Sequence, residues 1–359
     1  MKIAIIGLPN SGKTTVFNAL TRGNAETTSY SSGQLEPNIA TVKVPDGRLT
    51  QLTTMFNPRK ITPADVQYVD VAGISGDSEG GGLPGALLNY IQGSDAFVHV
   101  VRAFEDDNVP HPQNTVNAAR DIATLDLELM FSDMAIIERR LARLVGEITK
   151  MSSKDKELRI AERDALLRLQ SALESEVPVR DVDLSEDEDK LLKGYQFLSG
   201  KPMLLVLNTG DNQIAAPPTV EYNHRRSDVV AISAKIEAEL AQMDDEDATT
   251  FMEDLGITQA ARELAITKSY NLLGLISFLT AGPDEVRAWT IRRQTPAVEA
   301  AGTIHSDIQR GFIRAQVVAF NDLMRAGSMV EAKKQGTVRM EGKTYIVQDG
   351  DLCEFLFNI

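Results

Sequence analysis

The residues best suited to chemistry lie at the start of the chain, where Gly7-Leu8-Pro9-Asn10-Ser11-Gly12-Lys13-Thr14 follows the short apolar run Lys2 to Ile6. The spacing fits G-x-x-x-x-G-K-[ST], a loop that turns successive backbone N–H groups toward a phosphate. Thr15 to Leu20 reads as a helix with Val16, Phe17 and Leu20 facing a sheet, which sets the positive helix end against the same phosphate. Lys13 would reach the β- and γ-phosphates as a point charge, and the Thr14 hydroxyl would ligate Mg²⁺. A chance glycine turn is the bland alternative, but strand, loop and helix in immediate succession argue against it.

Kinases and switch-type nucleotide hydrolases share this loop, so later motifs decide the branch. Val66 to Gly73 is an apolar strand ending in D-x-x-G, in which Asp70 would hold Mg²⁺ through water and the Gly73 N–H would sense the γ-phosphate. Lys201 to Asp211 reads as a buried strand ending in N-x-x-D, which places Asn208, Thr209 and Asp211 in a base-reading loop. Val229 to Ile232 followed by Ser233-Ala234-Lys235 completes the series. Four motifs in this order predict a switch-type nucleotide hydrolase.

Two positions depart from the Ras-like pattern. Ile74 follows Gly73 where Ras-like enzymes carry a glutamine that orients the attacking water. An apolar side chain cannot polarise water, so His111, a cation at the P-loop or a partner must supply that group. Asn10 lies where potassium-dependent hydrolases use an asparagine to ligate K⁺ beside the phosphates, a charge that would act as an arginine finger does. Asn10 equally reads as a loop-capping side chain, and both readings stand at this point.

The elements that must position these residues belong to a chain of 359 residues, enough for two or three domains. Apolar residues at 43% and charged residues at 25% exclude a mostly disordered chain, and no apolar run is long enough to span a membrane. The N-terminus lacks a signal-peptide pattern, and a lone cysteine, Cys353, predicts a reducing cytoplasm. A net charge of −14 argues against a protein that coats nucleic acid non-specifically.

From Asn114 to Glu176 strand signals give way to helical ones. Ile137, Leu141, Leu144, Ile148 and Met151 form an a/d seam, Ser152 to Asp155 breaks it, and Leu158, Leu166, Leu169 and Leu173 resume it. This pattern predicts an antiparallel helical hairpin inserted into the nucleotide domain. With ten Lys/Arg against twelve Asp/Glu between Val116 and Glu176, a solvated helix pair and an RNA-binding arm are equally compatible. The acidic stretch Asp181 to Asp189 would lead back to the core. After Leu279 the chain reads as a small α+β module. Its strands are Val286–Ile291 and Ile313–Val318, its helix Ala301–Ile308, and a turn at Asp349-Gly350-Asp351 joins Tyr345–Val347 to Cys353–Phe357. Pro283 to Lys343 carries ten Lys/Arg and seven Asp/Glu, a local excess that suits a polyanion or a merely solvated face.

Taken together, GLPNSGKTT, EPN at Glu36–Asn38, VPDGRL at Val44–Leu49, DVAGI, HVVRAFEDDN at His99–Asn108, and the C-terminal AAGTIH, GFIRAQVVAF and EGKTYIVQDGD resemble the YchF family of Obg-like ATPases over essentially the entire chain. The resemblance implies an α/β P-loop nucleotide-binding domain (1–113 and 195–278), a helical coiled-coil hairpin insert (114–194) and a C-terminal β-grasp, or TGS, module (279–359). It also implies a slow, cytoplasmic, Mg²⁺-dependent hydrolase that binds ribosomes, the 50S or 70S particle, as a monomer. By the same resemblance the nucleotide-binding positions are Asn10, Ser11, Gly12, Lys13, Thr14 and Thr15, and the catalytic histidine is His111. The family's switch I threonine falls at Gln34, whose carbonyl oxygen would then serve the metal, with Ser31 or Ser32 as substitutes. The base loop departs from the family's N-x-x-E: Asp211 occupies the fourth position, as in guanine binders, but Thr209 replaces the lysine that packs along the base. ATP is the expected substrate. The alternatives are a GTPase of the same fold, or a nucleotide-gated ribosome-binding module with little hydrolysis.

Overall fold

The structure is a computed structural model that describes residues 1–23, 37–71, 85–150, 153–257 and 259–358. In chain order the elements begin with β1 (Lys2–Ile6), α1 (Lys13–Thr21), β2 (Asn38–Lys43), α2 (Gly47–Phe56), β3 (Lys60–Thr62), β4 (Asp65–Asp70), α3 (Gly85–Gln92) and β5 (Ala96–Arg102). Two long helices follow, α4 (Ala118–Lys150) and α5 (Ser153–Glu174), then α6 (Glu186–Leu192), β6 (Met203–Asn208) and β7 (Ser227–Ile232). Next come α7 (Ala234–Leu240), α8 (Asp245–Asp254), α9 (Ala261–Leu272), β8 (Leu275–Ala281), β9 (Glu285–Arg292), α10 (Ala297–Ile304) and α11 (Ser306–Arg310). The chain closes with β10 (Phe312–Ala319), α12 (Phe320–Ala326), α13 (Met329–Lys334), β11 (Arg339–Glu341) and β12 (Asp351–Phe357).

The chain forms two compact units: Met1–Ala40 with Gln67–Ala265, and Thr41–Val66 with Ile266–Ile359. One sheet runs β2-β4-β1-β5-β6-β7. β1 pairs in parallel with β4 and β5, and β6 in parallel with β5 and β7. β5 and β6 are buried at every position, as parallel strands covered on both faces must be. Phe97, Val101, Leu205 and Leu207 pack with Ile122, Leu125 and Leu129 of α4. Helix α1 buries Val16, Phe17 and Leu20, as its periodicity predicts. In such a sheet ligands gather beyond the carboxyl ends of the strands, where the 7–12, 103–117, 209–213 and 233–235 segments emerge.

The seam of α4 and α5 holds at Ile137, Leu144, Leu166 and Leu169, each fully buried. Leu158 is exposed, contrary to its reading as a seam residue. One turn later the seam position belongs to Glu162, 3% exposed, which accepts bonds from Arg140 (2.7 and 3.0 Å) and Arg159 (2.7 Å). A buried, arginine-clamped carboxylate replaces the apolar layer there. Met151 lies outside the described residues. Within the acidic stretch, Ser185 and Glu188 form a reciprocal capping box, and the acidic residues of the first turn of α6 suit a helix N-terminus.

The other sheet runs β11-β10-β12-β8-β9-β3 and differs from the sequence reading in four places. Its first C-terminal strand, β8, begins at Leu275 rather than after Leu279. Residues 41–66, read as part of the nucleotide domain, group with it through β3, which pairs in parallel with β9 (Ile61 opposite Val286). The expected helix 301–308 is broken at His305, whose Nδ1 accepts the Asp307 N–H and so caps α11. Tyr345–Val347 makes no hairpin with β12, because β12 has β10 on one side and β8 on the other; Ile346 bridges Pro296 instead. The core under this sheet joins Phe278, Phe312, Phe355 and Val317 to the alanine face of α10.

Candidate active site

Two glycines permit the phosphate loop. Gly7 has φ +152, and a Cβ there would fall 2.4 Å from the Val100 carbonyl oxygen of β5. Gly12 has φ +90, and its Cβ would fall 2.2 Å from the Asn208 amide nitrogen. Only glycine lets the loop lie this close to two strands. Ser11 is buried behind the loop, and Lys13, Thr14 and Thr15 begin α1. Lys13 Nζ donates to the Gly7 and Leu8 carbonyls, at 3.1 and 2.9 Å. Burial pushes its ammonium down to about 8, against the opposing pull of Asp70. Asp70 is buried at the end of β4, opposite Ile5 in the register, and so lies beside the start of the loop.

The base-side motifs meet the phosphate loop through Asn208. Its Nδ2 donates to the Ser11 carbonyl at 3.0 Å, and its Oδ1 accepts the Ala234 N–H at 3.2 Å. The second bond caps α7 from outside the helix, because Ser233 does not cap it with its own side chain. Ser233 Oγ donates instead to Asp211 Oδ1 (3.1 Å), while Lys235 Nζ donates to Asp211 Oδ2 (3.0 Å). That carboxylate raises the pKa of Lys235. Thr209 is buried, and its N–H donates to the Ile232 carbonyl at 2.9 Å. Lys201, expected at the head of the strand, instead caps the C-terminal end of α3, where its Nζ donates to the carbonyls of Ile91 (3.2 Å), Gln92 (2.6 Å) and Ser94.

β5 ends in Arg102, which lies within HVVRAFEDDN but receives no role from the sequence alone. Arg102 is 3% exposed and donates to the carbonyls of Phe104 (3.1 Å), Val109 (2.8 Å) and Asp106 (3.3 Å), with its guanidinium 4.5 Å over the Phe104 ring. An arginine ending a strand that is apolar but for His99 is the available signal. The loop it pins presents the Pro110 carbonyl to Asn10, whose Nδ2 donates to it at 3.0 Å. Asn10 therefore caps a neighbouring loop, and its φ of +60 is one an asparagine tolerates. Next in sequence, His111 has a side chain only 5% exposed; its Nε2 is 3.0 Å from Asp121 Oδ2, and its Nδ1 accepts the Gln113 N–H at 3.1 Å. Gly73, Ile74, Gln34, Ser31 and Ser32 lie outside the described residues.

The geometry gathers Asn10, Ser11, Gly12, Lys13, Thr14, Asp70, Asn208 and Ala234 around one phosphate loop, the arrangement of a P-loop nucleotide hydrolase. Residues 2–137 match the family model described as a 50S ribosome-binding GTPase, and residues 275–358 match YchF-GTPase_C, a domain described as of unknown function. The chain is 43% identical to the ribosome-binding ATPase YchF of Bacillus subtilis, over 99% of this chain and 98% of that one. The chain belongs to the YchF family. It is 38% identical to the Escherichia coli ribosome-binding ATPase YchF over its full length and 99% of that protein. The solved YchF GTPase of Schizosaccharomyces pombe superposes with a TM-score of 0.88 at 28% identity, covering 99% of this chain and 97% of that one. The family's phosphate loop and parallel sheet are those of a nucleoside triphosphate hydrolase. No helix among the described residues is long and apolar enough to cross a membrane.

Proposed function

We propose that this protein hydrolyses ATP to ADP and phosphate, slowly and in the cytoplasm, as a monomer that associates with the ribosome through its 50S or 70S particle. The observation that carries this reading is the Asn208 bridge, which ties the phosphate loop at Ser11 to the base-side loop at Ala234. A triphosphate and a base bound there would both be sensed by one side chain. The two curated relatives above are named ribosome-binding ATPases, which supports the choice of ATP and of the partner. Within the chain, Asp211 accepts from Ser233 and Lys235 and keeps lone pairs free for a base, so the choice of ATP rests on the relatives and on Thr209 standing where guanine readers carry a lysine.

The donor set fits Mg²⁺. The Thr14 hydroxyl would ligate it directly and the Asp70 carboxylate through water, both hard oxygen donors. Held there with nucleotide, Mg²⁺ would supply positive charge to the triphosphate. K⁺ would take the Asn10 Oδ1, since its Nδ2 is committed to Pro110. Lys13 supplies the charge that meets the transferring phosphoryl group, and His111 is the histidine joined to the phosphate loop, through the Asn10–Pro110 bond. The other base contacts are Thr209, Asp211, Ser233 and Lys235, with Gly73 at the γ-phosphate and Gln34 at the metal. The hairpin insert (114–194) and the C-terminal module, from β8 onward, are the parts offered to the ribosome. In sequence, residues 41–66 of the second unit fall between the two switch motifs.

Turnover with ATP and with GTP, each with and without isolated ribosomes, tests the reading. ATP is expected to be preferred and ribosomes to accelerate it, with Lys13→Ala abolishing turnover in both settings. A strong GTP preference would overturn the adenine assignment, and an absence of product even on ribosomes would leave a nucleotide-gated binding module.

A further inference from the structure

Four histidines are present, and they differ in what they can do. His99 is buried on β5, and burial pushes it down to about 4, so it stays neutral. His224 pairs with Asp181 at 2.5 Å, and His305 caps a helix of the second unit. His111 alone follows a residue bonded to the phosphate loop, and a buried carboxylate sits on its ring.

The bonds around that ring fix its tautomer. Nδ1 accepts from the Gln113 backbone N–H, so the proton resides on Nε2 and is donated to Asp121 Oδ2 at 3.0 Å. Asp121 stands in the first turn of the 33-residue helix α4, with a side chain only 3% exposed. Its other oxygen, Oδ1, accepts from Arg120 Nε and Nη2 at 3.0 and 2.9 Å, and Arg120 also holds Thr115. The carboxylate is therefore fixed from both sides. Gln113, by contrast, belongs to the same short loop as the histidine. Of the two partners of the ring, the loop amide is the one that can be exchanged.

Building on the assignment of His111 to catalysis, we infer that Asp121 is its positioning residue, holding Nε2–H and leaving Nδ1 as the working nitrogen. On activation the attacking water donates to Nδ1 the hydrogen bond that the Gln113 N–H donates in this structure. The Asp121 bond stays in place and keeps the lone pair of Nδ1 available. This is the logic by which a buried carboxylate selects the tautomer of a catalytic imidazole, with the roles of the two nitrogens exchanged.

Asp121→Asn discriminates this role from a structural one. Arg120 requires an acceptor, so the oxygen of the substituted side-chain amide turns toward it and the NH₂ toward His111, which forces the imidazole proton onto Nδ1. In the full-length protein, ¹⁵N shifts of the His111 ring are expected to show Nε2–H in the wild type and Nδ1–H in the variant. With ATP and magnesium, kcat should fall by about tenfold or more with KM little changed, as loss of a positioned acid–base group predicts. In a His111→Ala background the same substitution should lower kcat no further. An equal loss in that background, or a wild-type ring protonated on Nδ1, would overturn the inference while leaving His111 in its role. Undiminished kcat for His111→Ala would remove the role itself. The wild-type ¹⁵N measurement decides the tautomer even if the variant fails to fold.

Discussion

Arg48 and Asp349, 301 positions apart, form a two-pronged ion pair: Nη1 lies 2.9 Å from Oδ2 and Nη2 3.4 Å from Oδ1. Arg48 belongs to α2, between the two switch motifs, and Asp349 precedes β12 at the end of the chain. Asp46 caps α2 through the Arg48 N–H and also accepts from the guanidinium, while Asp349 Oδ1 accepts the Ser277 N–H at 2.9 Å. One carboxylate thus ties the inter-switch helix to the first strand of the C-terminal run. The inter-switch segment is in this way an integral piece of the second unit.

Asp349→Ala removes both of these bonds at once and leaves the Ser277 N–H without its acceptor. The ion pair is half open to solvent, with side-chain exposures of 24% and 49%, so it contributes little by itself. Most of the loss comes from the amide, giving about 1–2 kcal/mol in all. Asp349→Asn keeps an acceptor for Ser277 and should lose less than half of that. Chemical denaturation of the two variants checks the order; equal losses would place the stability in the ion pair.

Gly12→Ala is expected to damage nucleotide binding more than folding. The new Cβ would fall 2.2 Å from Asn208 Nδ2 at a φ of +90, so Asn208 must give up Ser11, Ala234 or both. Backbone strain adds about 1–3 kcal/mol. Calorimetric affinity for ATP with magnesium should fall at least about tenfold, which corresponds to ~1.4 kcal/mol. Asn208→Ala should reproduce much of this loss without the strain, and an affinity unchanged by either variant would remove the bridge from the binding site.

The parts of this site that are legible in the sequence are those in which one local rule decides the outcome. Gly7, Gly12 and Lys13 announce themselves because a loop that close to phosphate admits few residue types, the strand before Asn208 is an uninterrupted apolar run, and the one before Asp70 is apolar but for Gln67. The seam of the hairpin is readable at Ile137 and Leu144 but not at Leu158, because its outcome depends on Glu162 being clamped by Arg140 and Arg159. β3 is three residues long, and Ile61, its sole aliphatic residue, is exposed, so no periodicity betrays a strand whose partner lies more than two hundred residues away. His111 stands out in the sequence, but the carboxylate behind it does not, since Asp121 reads as an ordinary acidic residue in the first turn of a helix.

Lys235→Ala should shift base preference. Without the ammonium, Asp211 keeps only the Ser233 hydroxyl as donor, and its carboxylate becomes a better acceptor for a guanine edge. Both side chains face solvent, at 70% and 44% exposure, so the shift is modest: a few-fold rise in GTP affinity relative to ATP. Competition between labelled ATP and unlabelled GTP measures the ratio. A ratio that moves toward ATP would mean that Lys235, rather than Asp211, is what the base meets.

Nucleotide binding should take up a proton above neutral pH. Burial pushes Lys13 down to about 8 in the free protein, below its ordinary value of 10.5. Between those two values the unfolded chain carries more protons than the folded one, so the Lys13 contribution to stability improves as pH rises through that window. Binding acts in the opposite sense: triphosphate oxygens around the ammonium restore its charge and raise its pKa. At pH 8.5 complex formation should therefore absorb a substantial fraction of a proton, and at pH 7 much less. Calorimetry in two buffers of different ionisation enthalpy reads this number directly. Lys13→Met should abolish the uptake at pH 8.5 while weakening affinity, and uptake that persists in that variant would assign the proton to another group.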